Sequence, residues 1–206
     1  MEGRKKQKSD VGTRQRILAA ALEEFSLHGY SGARIDRITK QADANVRMIY
    51  HFFDNKKGLL DAVLAQIFNE RQEALQKTPE TIEDLLGDYF QGYSTDRHRV
   101  RLLEWEALEN GTRLDNLNTV EERKISAKKR VEALARLQKD GQLPADIDPE
   151  MLYLFCVALT IYPLSFPQSV YVATGEDAYS DEFQKRYHTA LQQLAGILKG
   201  SQTSGE

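Results

Sequence analysis

A single cysteine, Cys156, in 206 residues excludes an internal disulfide framework and any zinc site built from several thiolates. Cys156 falls in an apolar segment, where a thiol is expected to be inert core and not a redox sensor. The four histidines, His28, His51, His98 and His188, are scattered. No His/Asp/Glu set has metal-ligand spacing, so no metal is expected. A Gly-rich phosphate loop and a nucleophile-elbow serine are both missing, so neither a cofactor nor a catalytic residue is expected. The longest apolar stretch, Met151–Tyr162, has 12 residues, whereas a membrane span needs about 20. No membrane partner is expected. The chain opens without the apolar stretch of a secretory leader, so the expected location is the cytoplasm. Strict apolar/polar alternation, the mark of half-buried strands, is also lacking.

What the sequence has is helical periodicity and an uneven charge. Residues 1–57 carry 12 Lys and Arg against 7 Asp and Glu, a net of +5. The remainder carries 16 against 24, a net of −8. A basic head on an acidic body suggests that the head meets a polyanion. Polar residues 1–12, with Arg4, Lys5, Lys6 and Lys8, predict a disordered basic arm. Thr13 is a plausible N-cap for a helix bearing Ile17, Leu18, Ala21, Leu22 and Phe25 and ending at Gly29. Helices are then expected at 35–42, 46–53, 56–76, after Thr78-Pro79, at 96–109, 117–139, from Glu150 onward, and through the last apolar repeat to Leu198. Pro163 should kink the most apolar of these. The fold class is all-α, with about nine helices: a three-helix domain at 1–56 and a helical domain at 57–206.

Residues 35–54 carry the functional pattern. Two helices of about two turns are joined by three residues, as in a helix-turn-helix. Ile35, Ile38, Ala42, Ala44, Ile49 and Phe52 supply the inward set. Asp43 stands where the turn wants a positive φ, one of the few non-glycine residues that tolerates it. Asn45 can cap the second helix. That helix then presents Val46, Arg47, Met48, Tyr50 and His51, residue types suited to grooves and phosphates.

The segments TRQRILAAALEEFSLHGY (13–30), IDRI (35–38) and QADANVRMIYHFFDNKKGLL (41–60) resemble the N-terminal domain of the tetracycline-repressor (TetR) family of bacterial regulators. The resemblance implies DNA contacts at Thr13 and Arg14 on the first helix and at Arg34 opening the second. It further implies contacts at Asn45, Val46 and Arg47 opening the recognition helix, at Tyr50 and His51 along it, and at Lys56 opening the fourth. Helix N-termini and cations suit phosphates, and arginine can read guanine. Ala33-Arg34, Asp43 and Arg47 depart from the family's usual hydroxyl pair, glycine and small residue, which implies an individual operator. The stretches Arg101–Leu108 and Gly141–Pro149 also look like family segments.

The resemblance implies a ligand-responsive regulator, a repressor acting as a homodimer on palindromic double-stranded DNA and released by an unidentified small effector. Two recognition helices about 34 Å apart are needed for successive major grooves, so the apolar helices at about 150–172 and 180–198 are expected to pair across a two-fold axis. Leu191, Leu194 and Leu198 would be central to that interface. Tyr89, Tyr93, Trp105, Glu106, Tyr162 and Phe166 are the candidate effector residues, expected to take an uncharged or weakly polar molecule of aromatic size. Two other readings stand beside this one: a helical-bundle enzyme or adaptor with no DNA role, and a DNA-binding regulator controlled by a protein partner.

Overall fold

A computed structural model describes residues 2–75, 79–108 and 118–200. Within them the chain is all-helical, with no strand. The helices are α1 (Glu2–Gly32), α2 (Ile35–Gln41), α3 (Val46–Phe53), α4 (Lys56–Leu75), α5 (Ile82–Ser94), α6 (Arg97–Leu108), α7 (Asn118–Lys139), α8 (Pro149–Ser165), α9 (Pro167–Thr174) and α10 (Asp181–Gly200).

Several expectations need correction. The helix runs through residues 2–12, where a disordered arm is predicted; the Lys, Arg, Gln and Glu residues there are good helix formers. Thr13 is therefore not an N-cap but a buried residue inside α1. Thr78 lies outside the described residues, and Pro79 does not open α5; Thr81 caps that helix, its hydroxyl accepting from Asp84 N at 3.1 Å. Pro163 sits within α8 without ending it, and the break comes at Phe166. There α9 departs at 81°, and the described residues form ten helices. Proline at 163 cannot bond the carbonyl one turn earlier. Tyr187 from α10 donates its hydroxyl to that carbonyl, Leu159 O, at 2.7 Å.

The chain divides into two compact units, Met1–Gln72 with Arg101–Val120, and Glu73–Val100 with Glu121–Glu206. This differs from a division at residue 56. Leu59, Leu60, Val63, Leu64 and Ile67 of α4 bury into one cluster with Ile17, Ala21 and Phe25 of α1, Ile38 of α2 and Ile49 and Phe53 of α3. Leu102 of α6 joins the same cluster.

In the second unit α5 packs against both α8 and α10. Ile82, Leu86, Phe90, Leu134, Leu164, Phe183 and Leu191 are among its buried side chains. Gln192 of α10 donates to Glu83 O at 3.2 Å, and Lys199 pairs with Glu83 at 2.8 Å. Burial pushes the Glu83 carboxyl up, but Lys199 and the Thr81 hydroxyl more than offset it and leave it below the usual range. No single helix among the described residues is long and apolar enough to cross a membrane.

Candidate nucleic-acid interface

The turn between α2 and α3 is held from three sides. Asp43 adopts φ 48°, in the left-handed region, where Asp is tolerated better than most residues. Arg16 of α1 donates from Nε to Ala42 O at 2.9 Å and from Nη2 to Asp43 O at 3.4 Å. Asn45 caps α3, its side chain accepting from Met48 N at 3.1 Å.

At the entrance of α2, Glu24 is buried on α1 with three partners. Arg34 N and Arg37 Nε donate to its Oε1 at 2.8 and 2.7 Å, and His28 lies 3.8 Å from its other oxygen. Burial alone would raise the Glu24 pKa, yet the Arg37 and Arg34 hydrogen bonds and the nearby positive charges hold it below the usual value. Glu24 stands seven residues after Ile17 and three after Ala21, on the apolar stripe of α1. That spacing was the available signal that a carboxylate is buried here. Arg16 carried no such signal.

The exit of α3 is equally constrained. Asp54 takes φ 62°, and Asn55 caps α4 by accepting from Gly58 N at 3.0 Å. A Cβ at Gly58 would lie 2.1 Å from Phe53 O. The α3–α4 junction therefore closes only around a glycine, a requirement that sequence reasoning missed.

Held this way, α3 buries Ile49 and Phe53 and turns Val46, Arg47, Tyr50 and His51 outward. Val46 and Tyr50 are 37% and 54% exposed, values that neither would show as a core residue. Met48, expected outward, is half-buried against the core. Arg14 and Arg34 are exposed, and Arg14 lies 5.3 Å from the centroid of the Phe53 ring. Lys56 is half-buried, with Nζ 4.8 Å above the Tyr30 ring. Thr13 departs from its expected role: it is buried, and its hydroxyl accepts from Arg16 at 3.4 Å. The other eight DNA-binding candidates lie on α1, α3 or the starts of α2 and α4, all in the first unit.

The six effector candidates are not gathered in one unit. Trp105 and Glu106 belong to the first, and Tyr89, Tyr93, Tyr162 and Phe166 to the second. Trp105 packs on α1: its Nε1 donates to Ser26 O at 3.1 Å, and a Cβ at Gly29 would meet its ring at 2.8 Å. Gly29 itself has φ 63° and ψ −179°. Tyr89 and Tyr93 are buried and stacked, with centroids 6.1 Å apart. Tyr162 and Phe166 are about half exposed and 5.2 Å apart. Tyr162 also borders a mostly apolar cleft of about 380 Å³ with Val170, Phe183, Arg186 and Tyr187.

Among the expected interface residues, Leu191 is buried within its own protomer, while Leu194 and Leu198 are half-buried. The apolar side chains that α8 and α10 expose are Met151, Leu154, Phe155, Tyr162 and Ile197.

Comparison with known proteins places these features. Residues 17–63 match the bacterial regulatory proteins of the tetR family, and residues 79–199 match a tetracyclin repressor-like C-terminal domain. The HTH-type transcriptional repressor SCO4008 of Streptomyces coelicolor is 31% identical over 184 residues, spanning 88% of this chain and 94% of that one. The HTH-type transcriptional repressor NicS of Pseudomonas putida is 35% identical over 106 residues, about half of each protein. Among solved structures, the transcriptional regulator SCO4942 of Streptomyces coelicolor superposes with a TM-score of 0.72 at 27% identity, covering 88% of this chain and 97% of that one.

Proposed function

The chain belongs to the TetR family and is a DNA-binding transcriptional regulator, not an enzyme; from that premise we propose that it is a homodimeric repressor of palindromic operators, released by a small effector. Regulators of this family bind DNA and typically dimerise. The observation that carries the proposal is the outward face of α3, where Val46, Arg47, Tyr50 and His51 stand clear of a helix anchored by Ile49 and Phe53. Arg47 reads base edges, and Arg14, Arg34, Tyr50, His51 and Lys56 contact phosphates. Asn45 acts through the cap that sets the pitch of α3, and Thr13 by supporting Arg16.

Residues 1–56 with the first turns of α4 form the DNA-binding head, and the rest binds effector and dimerises. The two-fold interface uses the exposed stripe of α8 with Ile197 of α10, since an apolar stripe of this kind marks an association surface. Leu191 instead supports that surface from within the protomer. The effector site is built around Tyr89 and Tyr93. Acting on DNA, the protein works in the cytoplasm.

The test is selection of bound duplexes from a random pool, followed by binding titrations on the selected site. Arg47→Ala is expected to cost about 1–3 kcal/mol and to loosen base preference at one position. Lys56→Ala is expected to weaken all sequences alike and to lower the salt slope by about one unit. Loss of affinity in both variants with unchanged preference and unchanged slope refutes the assignment.

A further inference from the structure

Four residues, Ala42 to Asn45, connect α2 to α3, and Arg16 of α1 grips the backbone of two of them. Its Nε donates to Ala42 O at 2.9 Å and its Nη2 to Asp43 O at 3.4 Å. Ala42 is the C-cap of α2. Carbonyls at that end lack partners within their helix and carry the negative end of its dipole. A guanidinium suits them, because its donors form a rigid planar fork that never loses its charge. The root of the side chain is fixed as well. Ile17, the next residue, is fully buried in the cluster that includes Ile38 of α2 and Ile49 of α3. One turn earlier, the buried Thr13 hydroxyl accepts from Nη2 at 3.4 Å.

The second carbonyl belongs to the least comfortable residue of the turn. Asp43 sits at φ 48°, a region that side chains with a Cβ avoid. Directly after it, Ala44 N donates to Thr39 O at 3.0 Å, and Asn45 caps α3 at Met48 N. Rotation of the Asp43 peptide therefore swings Asn45 and the first turn of α3 together. That turn carries Val46 and Arg47, the residues placed to meet base edges. Base contacts must be held to within about 0.5 Å and 10–20°. Phosphate contacts made by long, flexible side chains follow larger displacements. An error in the pitch of α3 thus falls on sequence reading before it falls on general affinity.

We propose that Arg16 is a positioning residue for sequence recognition: without touching DNA, it fixes the pitch of α3 through the Ala42 and Asp43 carbonyls, so that operator preference depends on a side chain of α1. This rests on the reading of α3 as the recognition helix and adds to it a residue that lies outside the DNA-contacting set.

Binding titrations of the full chain test it, on the duplex selected from a random pool and on a scrambled duplex of equal length, each over a range of salt. The readout is the ratio of the two affinities. Partial unfolding lowers both by the same factor, so a merely structural role leaves the ratio alone. Arg16→Met keeps the stem and removes the fork; it is expected to lower the ratio about tenfold, within the range of one lost base contact, with the salt slope of the parent. Arg16→Lys keeps the charge but reaches one carbonyl at a time; its ratio is expected between those of Arg16→Met and the parent, and it decides the matter if Arg16→Met does not fold. A parental ratio in Arg16→Met overturns the proposal, and a parental ratio in Arg16→Lys overturns the two-carbonyl grip. Equal weakening of both duplexes with a salt slope lower by about one unit makes Arg16 a phosphate contact and overturns it too. A parent that prefers no duplex, or an Arg47→Ala variant with parental preference, instead discards the recognition-helix reading and this proposal with it.

Discussion

Replacing Gly29 by alanine tests the contact that joins α1 to α6 inside the first unit. Two separate penalties meet at this residue. At φ 63° and ψ −179° the backbone occupies a region nearly restricted to glycine, and holding an alanine there costs about 1–3 kcal/mol. The new methyl would also stand 2.8 Å from Cδ2 and Cε3 of Trp105, so the indole must move. Moving it strains the Trp105–Ser26 hydrogen bond of 3.1 Å, worth about 0.5–1.5 kcal/mol. The expected total is about 3 kcal/mol. Trp105 is the protein's one tryptophan, so its emission reports this contact directly, and a red shift should accompany the loss of stability in Gly29→Ala. Urea unfolding followed by circular dichroism gives the free energies for the parent, both single variants and the pair Gly29→Ala, Trp105→Ala. If the ring is the obstacle, the glycine substitution costs about 1 kcal/mol less once the ring is gone. Equal cost in both backgrounds, within about 0.5 kcal/mol, refutes the steric part. A total cost below that same figure refutes the backbone part as well.

Three other outcomes follow from the same geometry. Glu24→Gln should destabilise the protein by about 1.5–3 kcal/mol near neutral pH, because it weakens charge-assisted bonds to Arg37 and Arg34. The folded pKa of Glu24 lies below its unfolded value, so the gap between parent and variant should be full above about pH 4.3. It should close as the pH falls through the folded value, and a gap that persists at the acid end counts against the pairing. Gly58→Ala, with 2.1 Å between the new Cβ and a backbone oxygen, should cost about 3 kcal/mol or more and abolish operator binding, read by thermal unfolding and titration. Phe155→Glu, on the exposed stripe of α8, should give a folded monomer in sedimentation equilibrium, while Leu191→Ala should lower protomer stability by about 2–5 kcal/mol; a dimeric Phe155→Glu removes the proposed interface.

What the sequence made legible is what is local. The turn at Asp43, the Asn45 cap and the outward residues of α3 all lie within one twelve-residue window, where a periodic pattern and a φ requirement act on neighbours. The features that the sequence concealed join residues far apart in the chain. Arg16 reaches Ala42, Trp105 reaches Ser26, and Tyr187 reaches Leu159. None leaves a trace in spacing, because each is made by packing that the pattern implies without specifying. Aromatic content misled for the same reason. Trp105 and Tyr89 look alike in a list of rings, yet one secures α1 and the other sits beside a buried cation. That cation, Arg130, was hidden further, among the many Glu, Lys and Arg residues of 121–136. A charge run reveals a buried member only when one position also falls on the apolar stripe. Arg130 does, lying three residues before Ala133, four before Leu134 and seven before Leu137, all buried. The same test identifies Glu24 on α1, so in both units a charge on the inner stripe of a helix marks where the fold holds a partner: Arg37 and Arg34 N for Glu24, Ser126 and the Tyr89 ring for Arg130.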